Sequence, residues 1–199
     1  MSLQKINIRT TVLILMIVAA AALRFVSYKF PLLSNFTPVG AIALFGGAYF
    51  TDKWKAYLVV LLTLFVSDIY INYLYTSKLV LWYGNGAILT YLSFALMVLA
   101  GSLIKKVNVA NVLVASLAAI AIHWLITDID PWLYGTMYAK GINGYFQSLV
   151  AAIPFERNMV LGDAIFGAVL FGGFELAKSK YTALRTQKEQ VSLNKELAL

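Results

Sequence analysis

Apolar residues run through this chain in long blocks, and polar residues fall between the blocks far more often than inside them. The stretches 30–51, 79–104 and 107–127 contain no Asp, Glu, Lys or Arg. Three further stretches are apolar but interrupted: 10–28 by Arg24, 56–75 by Asp68, and 158–177 by Asp163 and Glu175. About 20 apolar residues, each adding about 1.5 Å to a helix, cross a bilayer core of about 30 Å. The pattern therefore predicts an all-α polytopic membrane protein, a bundle of six transmembrane helices forming one domain over residues 1–180. A charged tail follows over 181–199. The longest connection, 128–157, is not plain polar linker. It carries Trp132, Tyr134, Tyr138, Tyr145 and Phe146, then a short apolar run that meets Pro154. A run too short to span and ended by proline is expected to lie at the interface or re-enter over the outer mouth.

Composition agrees. Of 199 residues, 61% are hydrophobic and 13% are charged, against about 45–50% and about 25% in soluble domains. A soluble domain could not keep this much apolar surface from water, and disorder requires low hydrophobicity. No cysteine is present, which removes disulfides, thiol catalysis and cysteine-ligated metals. The net charge of +7 is not read as a nucleic-acid signal. Placing the N-terminus inside puts Lys5, Arg9, Lys53, Lys55, Lys105, Lys106 and the basic residues from Lys178 onward on one side, with Arg24, Lys29, Lys78, Lys140 and Arg157 on the other. That asymmetry follows the positive-inside rule, with both termini cytoplasmic. Lys5, Arg9, the apolar run and Ala20-Ala21-Ala22 also look like a cleavable secretory signal. The apolar run continues through Leu23, Phe25 and Val26, and reaches span length only if it is retained.

An ionisable group inside a membrane costs about 2.5–3.5 kcal/mol on insertion scales, so it faces the protein interior and serves a purpose there. In the six-span reading Arg24, Asn35, Asp68, Asn72, Asn85, His123, Asn158 and Asp163 all fall in the outer half of the bilayer. Trp132 belongs to the aromatic loop above them. A polar cluster under an aromatic cap is the expected form of an outward pocket with apolar walls. Two bland readings stand beside it: a buried Arg24–Asp68 or Arg24–Asp163 pair holding helices together, and an aromatic belt at the interface. Glu175 is expected to pair with Lys178, about one turn on. Small residues at Gly40, Ala43, Gly46, Gly47, Ala115, Ala119, Ala164, Ala168 and Gly172 predict close helix packing.

Enzyme readings are thin. Ser102 falls near the inner face and His123 near the outer face, too far apart for a serine–histidine pair. No phosphate-cradling glycine loop or paired-histidine metal motif occurs, so no cofactor, metal or catalytic residue is expected. An intramembrane lipid enzyme using Asp163 or His123 as base is the least favoured alternative.

Three segments carry a resemblance. The first is Asn35-Phe36-Thr37-Pro38-Val39-Gly40-Ala41-Ile42-Ala43-Leu44-Phe45-Gly46-Gly47-Ala48-Tyr49-Phe50. The second is Ser67-Asp68. The third joins Ala151-Ala152-Ile153-Pro154-Phe155, Arg157-Asn158 and Leu161-Gly162-Asp163 to Leu170-Phe171-Gly172-Gly173-Phe174. From Arg24 to about Ala177 the chain resembles a family of six-helix transport proteins of bacterial inner membranes whose substrates are uncharacterised. That family is similar to the S components of energy-coupling-factor (ECF) vitamin transporters. The resemblance implies capture of a small, vitamin-like solute on the outer side of the inner membrane. It also implies partners, a transmembrane coupling protein and ATPase subunits. S components often carry alanines four apart on helix one; here that helix has the block Ala19 to Ala22 instead. The rival in a different class is a non-transporting membrane subunit or scaffold of a larger inner-membrane complex.

Overall fold

The computed structural model describes residues 7–33, 35–81 and 84–196; Lys5, one of the inner charges above, lies outside them. The described residues form helices: α1 (Ile8–Ala22), α2 (Arg24–Lys29), α3 (Val39–Tyr49), α4 (Lys53–Thr76), α5 (Asn85–Ser102), α6 (Val109–Thr127), α7 (Ile129–Leu133), α8 (Ile142–Gly167), α9 (Gly173–Lys180) and α10 (Gln187–Glu196). Single 3₁₀ turns sit at Pro31–Leu33 and Thr182–Leu184, and a π-helical turn, Ala168–Gly172, joins α8 to α9. The Asn7 and Asn108 side chains cap α1 and α6 by accepting from Thr10 N–H and Asn111 N–H, which satisfies donors that a helix start leaves open.

Four helical runs are long and apolar enough to cross a membrane: α4, α5, Val109–Leu133 and the 39-residue run Ile142–Lys180. Helices α1 and α3 are apolar but shorter. Large hydrophobics such as Leu15, Leu62, Leu113, Val114 and Val169 stand exposed around the bundle. So much apolar circumference has no place in water, and the chain is built as a membrane protein.

Two expectations change. The stretch 30–51 is not one continuous helix: its described residues hold a 3₁₀ turn at Pro31–Leu33 and the 11 residues of α3, the latter about 16 Å long. Pro38 opens the helix, and Asn35 just before it has a φ of 63°, a left-handed conformation that interrupts winding. The stretch lacks charge because it is the centre of the protein: Val39 through Gly47 are all buried. Glycines make this possible. A Cβ on Gly47 would stand 2.1 Å from the Val98 carbonyl oxygen, and one on Gly101 2.3 Å from that of Leu44. Helices α3 and α5 therefore meet backbone to backbone.

The second change concerns 128–157. It holds α7 and the first half of α8, and α8 continues through Pro154 without a break. Proline removes one ladder hydrogen bond, yet the helix persists, so the segment is neither a re-entrant loop nor a helix that starts at Asn158. At 39 residues, the run from Ile142 is about 58 Å long, well beyond a bilayer core.

Contacts define two ends of the bundle. At one, Arg9 donates to the Tyr49 and Leu184 carbonyls, the Tyr49 hydroxyl donates to Glu175 (2.7 Å), and Lys178 pairs with Glu175 (2.8 Å) as expected. At the other, the Tyr28 hydroxyl donates to the Leu74 carbonyl and the Asn158 amide to that of Leu32. Phe45 packs edge to face on Phe171 and Phe174, and Tyr49 on Phe174, between α3 and the π-turn region.

Candidate functional site

The polar side chains inside the bundle form three groups. In the first, Arg24 at the start of α2 pairs with Asp68 of α4 at 2.7 Å, both side chains 11% exposed. Arg24 also donates to the Ser67 hydroxyl, and the Tyr91 hydroxyl of α5 donates to the other Asp68 oxygen at 2.6 Å. Of the two ion pairs open on sequence grounds, Arg24–Asp68 is the one formed. Each carboxylate oxygen has a partner, so the group reads as a clamp joining α2, α4 and α5.

The second group joins α6 to α8. His123 Nδ1 lies 3.1 Å from Glu156 Oε1. Glu156 is buried, and its Oε2 has no hydrogen-bond partner among the described residues. A turn beyond His123, Ser148 donates to the Asp128 carbonyl (3.1 Å). Glu156 was not among the sequence-derived candidates, because 128–157 read as a loop. Its signal was spacing: Glu156 and Asp163 are seven residues apart, two turns along one face of a helix.

The third group centres on Asp163, 2% exposed on α8. Helix α3 begins after Pro38 without a side-chain cap of its own. Asp163 supplies one from another helix: its Oδ1 accepts the Ala41 N–H at 3.0 Å. A carboxylate at a helix N-terminus also interacts favourably with the helix dipole. The approach requires Gly40, where a Cβ would stand 2.3 Å from Asp163 Oδ2. Gly162 is also pressed on the Thr37 backbone, where a Cβ would stand 2.8 Å from the Thr37 carbonyl oxygen. Asp163 Oδ2, buried against Gly40, has no hydrogen-bond partner among the described residues. His123 and Glu156 lie within electrostatic range of the same carboxylate.

Asp163 also forms part of the wall of a cavity of about 550 Å³ between α6 and the α8–π–α9 run. The cavity extends from Ile120, Val160 and Asp163 to Asn108 and Glu175, toward the end that holds Arg9 and Lys178. Its walls are Val, Leu, Ile, Phe, Ala and Gly apart from Asn108, Ser116, Asp163 and Glu175. An apolar cavity of this size with a few polar groups is typical of small-molecule sites. A second apolar groove of about 630 Å³ lies between α1–α2 and α4, with Ser67 in its wall.

The other sequence-derived candidates are more scattered. Asn35 forms the turn before α3, with its carbonyl accepting from Thr37 N–H. Asn72 is half-buried on α4, while Asn85 is exposed at the first position of α5. Trp132 packs on Tyr145 (5.3 Å between ring centres), with its indole nitrogen buried and unpartnered. Asn158 ties α8 to the turn at Leu32. Among the nine, Asp163 is the one that lines the cavity. No group of three or more His, Asp or Glu placed to hold a metal occurs among the described residues.

No curated protein and no solved structure matches the chain. Over residues 4–185, which include all three polar groups and the cavity, it matches the model of DUF6580, a family of unknown function, and belongs to that family.

Proposed function

We propose that this protein is a transport component of the bacterial inner membrane that binds a small, vitamin-sized organic solute from the outer side. In this reading it is the substrate-binding subunit of an ECF-type transporter. The chain crosses six times in this reading, the segments 8–29 and 30–51 (the latter with α3 as its helical part) completing the four longer runs, and both termini are cytoplasmic. The chain has no nucleotide motif, so energy comes from partner subunits, a coupling protein and ATPases. The observation that carries the reading is Asp163: a buried carboxylate with one oxygen unpartnered, in the wall of an apolar cavity large enough for a small molecule. Intramembrane ionisable groups mark solute pathways. The His123–Glu156 pair, with Glu156 two turns nearer the start of α8 than Asp163, lies toward the outer end in this reading.

The test is native mass spectrometry of protein extracted gently from its own membranes, beside Asp163→Asn. A small molecule of defined mass on the parent protein and absent from Asp163→Asn is the expected result. Unchanged affinity and uptake in Asp163→Asn refutes the assignment. The Arg24–Asp68–Tyr91 clamp, with each carboxylate oxygen partnered, favours the second reading, a scaffold subunit whose buried charges are structural. That reading predicts co-purification with one protein partner and no solute.

A further inference from the structure

We infer that the cavity between α6 and α8–α9 seats one acyl chain of an anionic phospholipid, whose phosphate head lies beside Lys105 and Lys106. The inference goes beyond the solute reading and stands without it. The polar groups of the wall are turned to the protein. Both Asp163 oxygens lie against α3, at Gly40 and the Ala41 N–H. Glu175 is held by Lys178 and the Tyr49 hydroxyl. The Asn108 side chain caps α6, accepting from Asn111 N–H. What remains of the wall, Ser116 apart, is Val, Leu, Ile, Phe, Ala and Gly. A hydrocarbon chain matches such a wall, because it leaves no polar group unpaired there.

Length and position select the source of the chain. The slot runs along α6 from Asn108 to Ile120, 12 residues or about 18 Å. That is a little over half of a bilayer core of about 30 Å, the depth of one leaflet. Val109, Leu113 and Leu117 line the slot and are exposed on the apolar circumference, so it opens sideways to lipid. Gly167 and Gly172 leave open space where a side chain would stand. Charge selects the head. At the Asn108 end the wall begins at Val107, directly after Lys105 and Lys106. Both lysines are exposed, and the Lys106 carbonyl accepts from the Asn111 amide at 2.8 Å, which ties this connection to the first turn of α6. Neither ammonium has a carboxylate partner among the described residues. The carboxylates at this end are taken: Glu175 and Glu189 by Lys178, and Asp52 by Lys55. Uncompensated lysines at a membrane surface attract anionic lipid, and their flexible stems reach a phosphate without a fixed geometry. In the orientation proposed above, this leaflet is the cytoplasmic one.

The experiment uses the full chain in phosphatidylcholine vesicles and two trace probes with identical chains, phosphatidylglycerol and phosphatidylcholine, each with a diazirine in one acyl chain. Cross-links are mapped by mass spectrometry. Phosphatidylglycerol is expected to label residues 109–117 and 164–172 at least about tenfold more than phosphatidylcholine, the scale of two lysines at a membrane surface. Raising salt to about 0.5 M, which screens exposed charges, narrows that ratio. Lys105→Gln/Lys106→Gln, changed only at exposed positions, brings phosphatidylglycerol down to the level of phosphatidylcholine. Gly172→Leu fills the slot and removes both signals. Equal labelling by the two lipids on the parent protein overturns the inference, and this comparison decides even if a variant fails to fold. Labelling outside the slot, or a preference for phosphatidylglycerol that survives the double lysine variant, also overturns it. Selective labelling of a protein that holds no solute supports the inference and refutes the solute reading. A retained solute together with equal labelling does the reverse.

Discussion

Asp163 serves two partners, a helix start and a cavity, and substitutions separate them. Asparagine keeps an acceptor for Ala41 N–H and removes the charge; alanine removes both. Asp163→Asn is thus expected to stay folded and lose solute, whereas Asp163→Ala also melts earlier, by the loss of a cap worth about 1 kcal/mol. Gly40→Ala attacks from the other side, since its Cβ would lie 2.3 Å from one carboxylate oxygen and 2.5 Å from the other. It displaces the carboxylate and costs about 1–3 kcal/mol, read as a lower unfolding midpoint in detergent. The Arg24–Asp68 pair predicts a different pattern. Removing one member of a buried pair strands the other and costs about 3–5 kcal/mol, while replacing both with apolar residues costs far less. Arg24→Leu is expected to be much less stable than Arg24→Leu/Asp68→Leu. The double variant should still retain solute, because neither residue lines the Asp163 cavity.

Helix by helix, hydropathy was a good guide wherever lipid is the neighbour. The stretches that became α4 and α6 were legible to within about three residues at each end, whereas α5 begins at Asn85, well after the expected start at Leu79. It misled where protein is the neighbour: α3 is as apolar as a span, yet 11 residues long and buried on all sides. The warning lay in Pro31, Asn35 and Pro38, and in the glycines at 40, 46 and 47. Gly47→Ala is expected to destabilise strongly, because the new methyl meets backbone at 2.1 Å and backbone cannot rotate away. The tail was legible as charged but not as docked. Thr186 and Glu189 form a capping box at the start of α10, and Lys178 reaches Glu189 at 3.0 Å. Burial pushes the Glu189 carboxyl up, but the Thr186 N–H, Lys178 and the Thr186 hydroxyl together hold it down at about 2, against an ordinary 4.5. A depressed carboxyl stabilises fully above its unfolded value, so docking of α10 is complete above about pH 4.5. It is lost as pH falls toward 2. The chain has no cysteine, so a single dye on Val191→Cys reports this as falling anisotropy. Thr186→Ala should weaken docking at every pH.

Across the bundle, the sequence showed which residues are costly to bury and not how they are shared out. Arg24, Asp68, His123 and Asp163 were legible because charge is rare in these helices. That Arg24 belongs to Asp68, and Asp163 to the start of α3, depends on contacts between residues 44 and 122 positions apart, which no local pattern encodes. Glu156 was hidden by a proline that breaks most helices but not α8. The cavity was least visible, being a gap beside glycines.

The π-helical turn has a consequence for the lengths this chain can adopt over evolutionary time. A π turn holds one residue more than an α turn, so it absorbs an insertion while the helix on either side keeps its facing. Losing one residue within Ala168–Gly172 would restore ordinary winding and leave Asp163 and Phe174 turned as they are. Losing one elsewhere in α8 would rotate everything beyond it by about 100°. Relatives one residue shorter at this point should therefore keep the fold while narrowing the space beside it, a natural experiment in how wide that space needs to be.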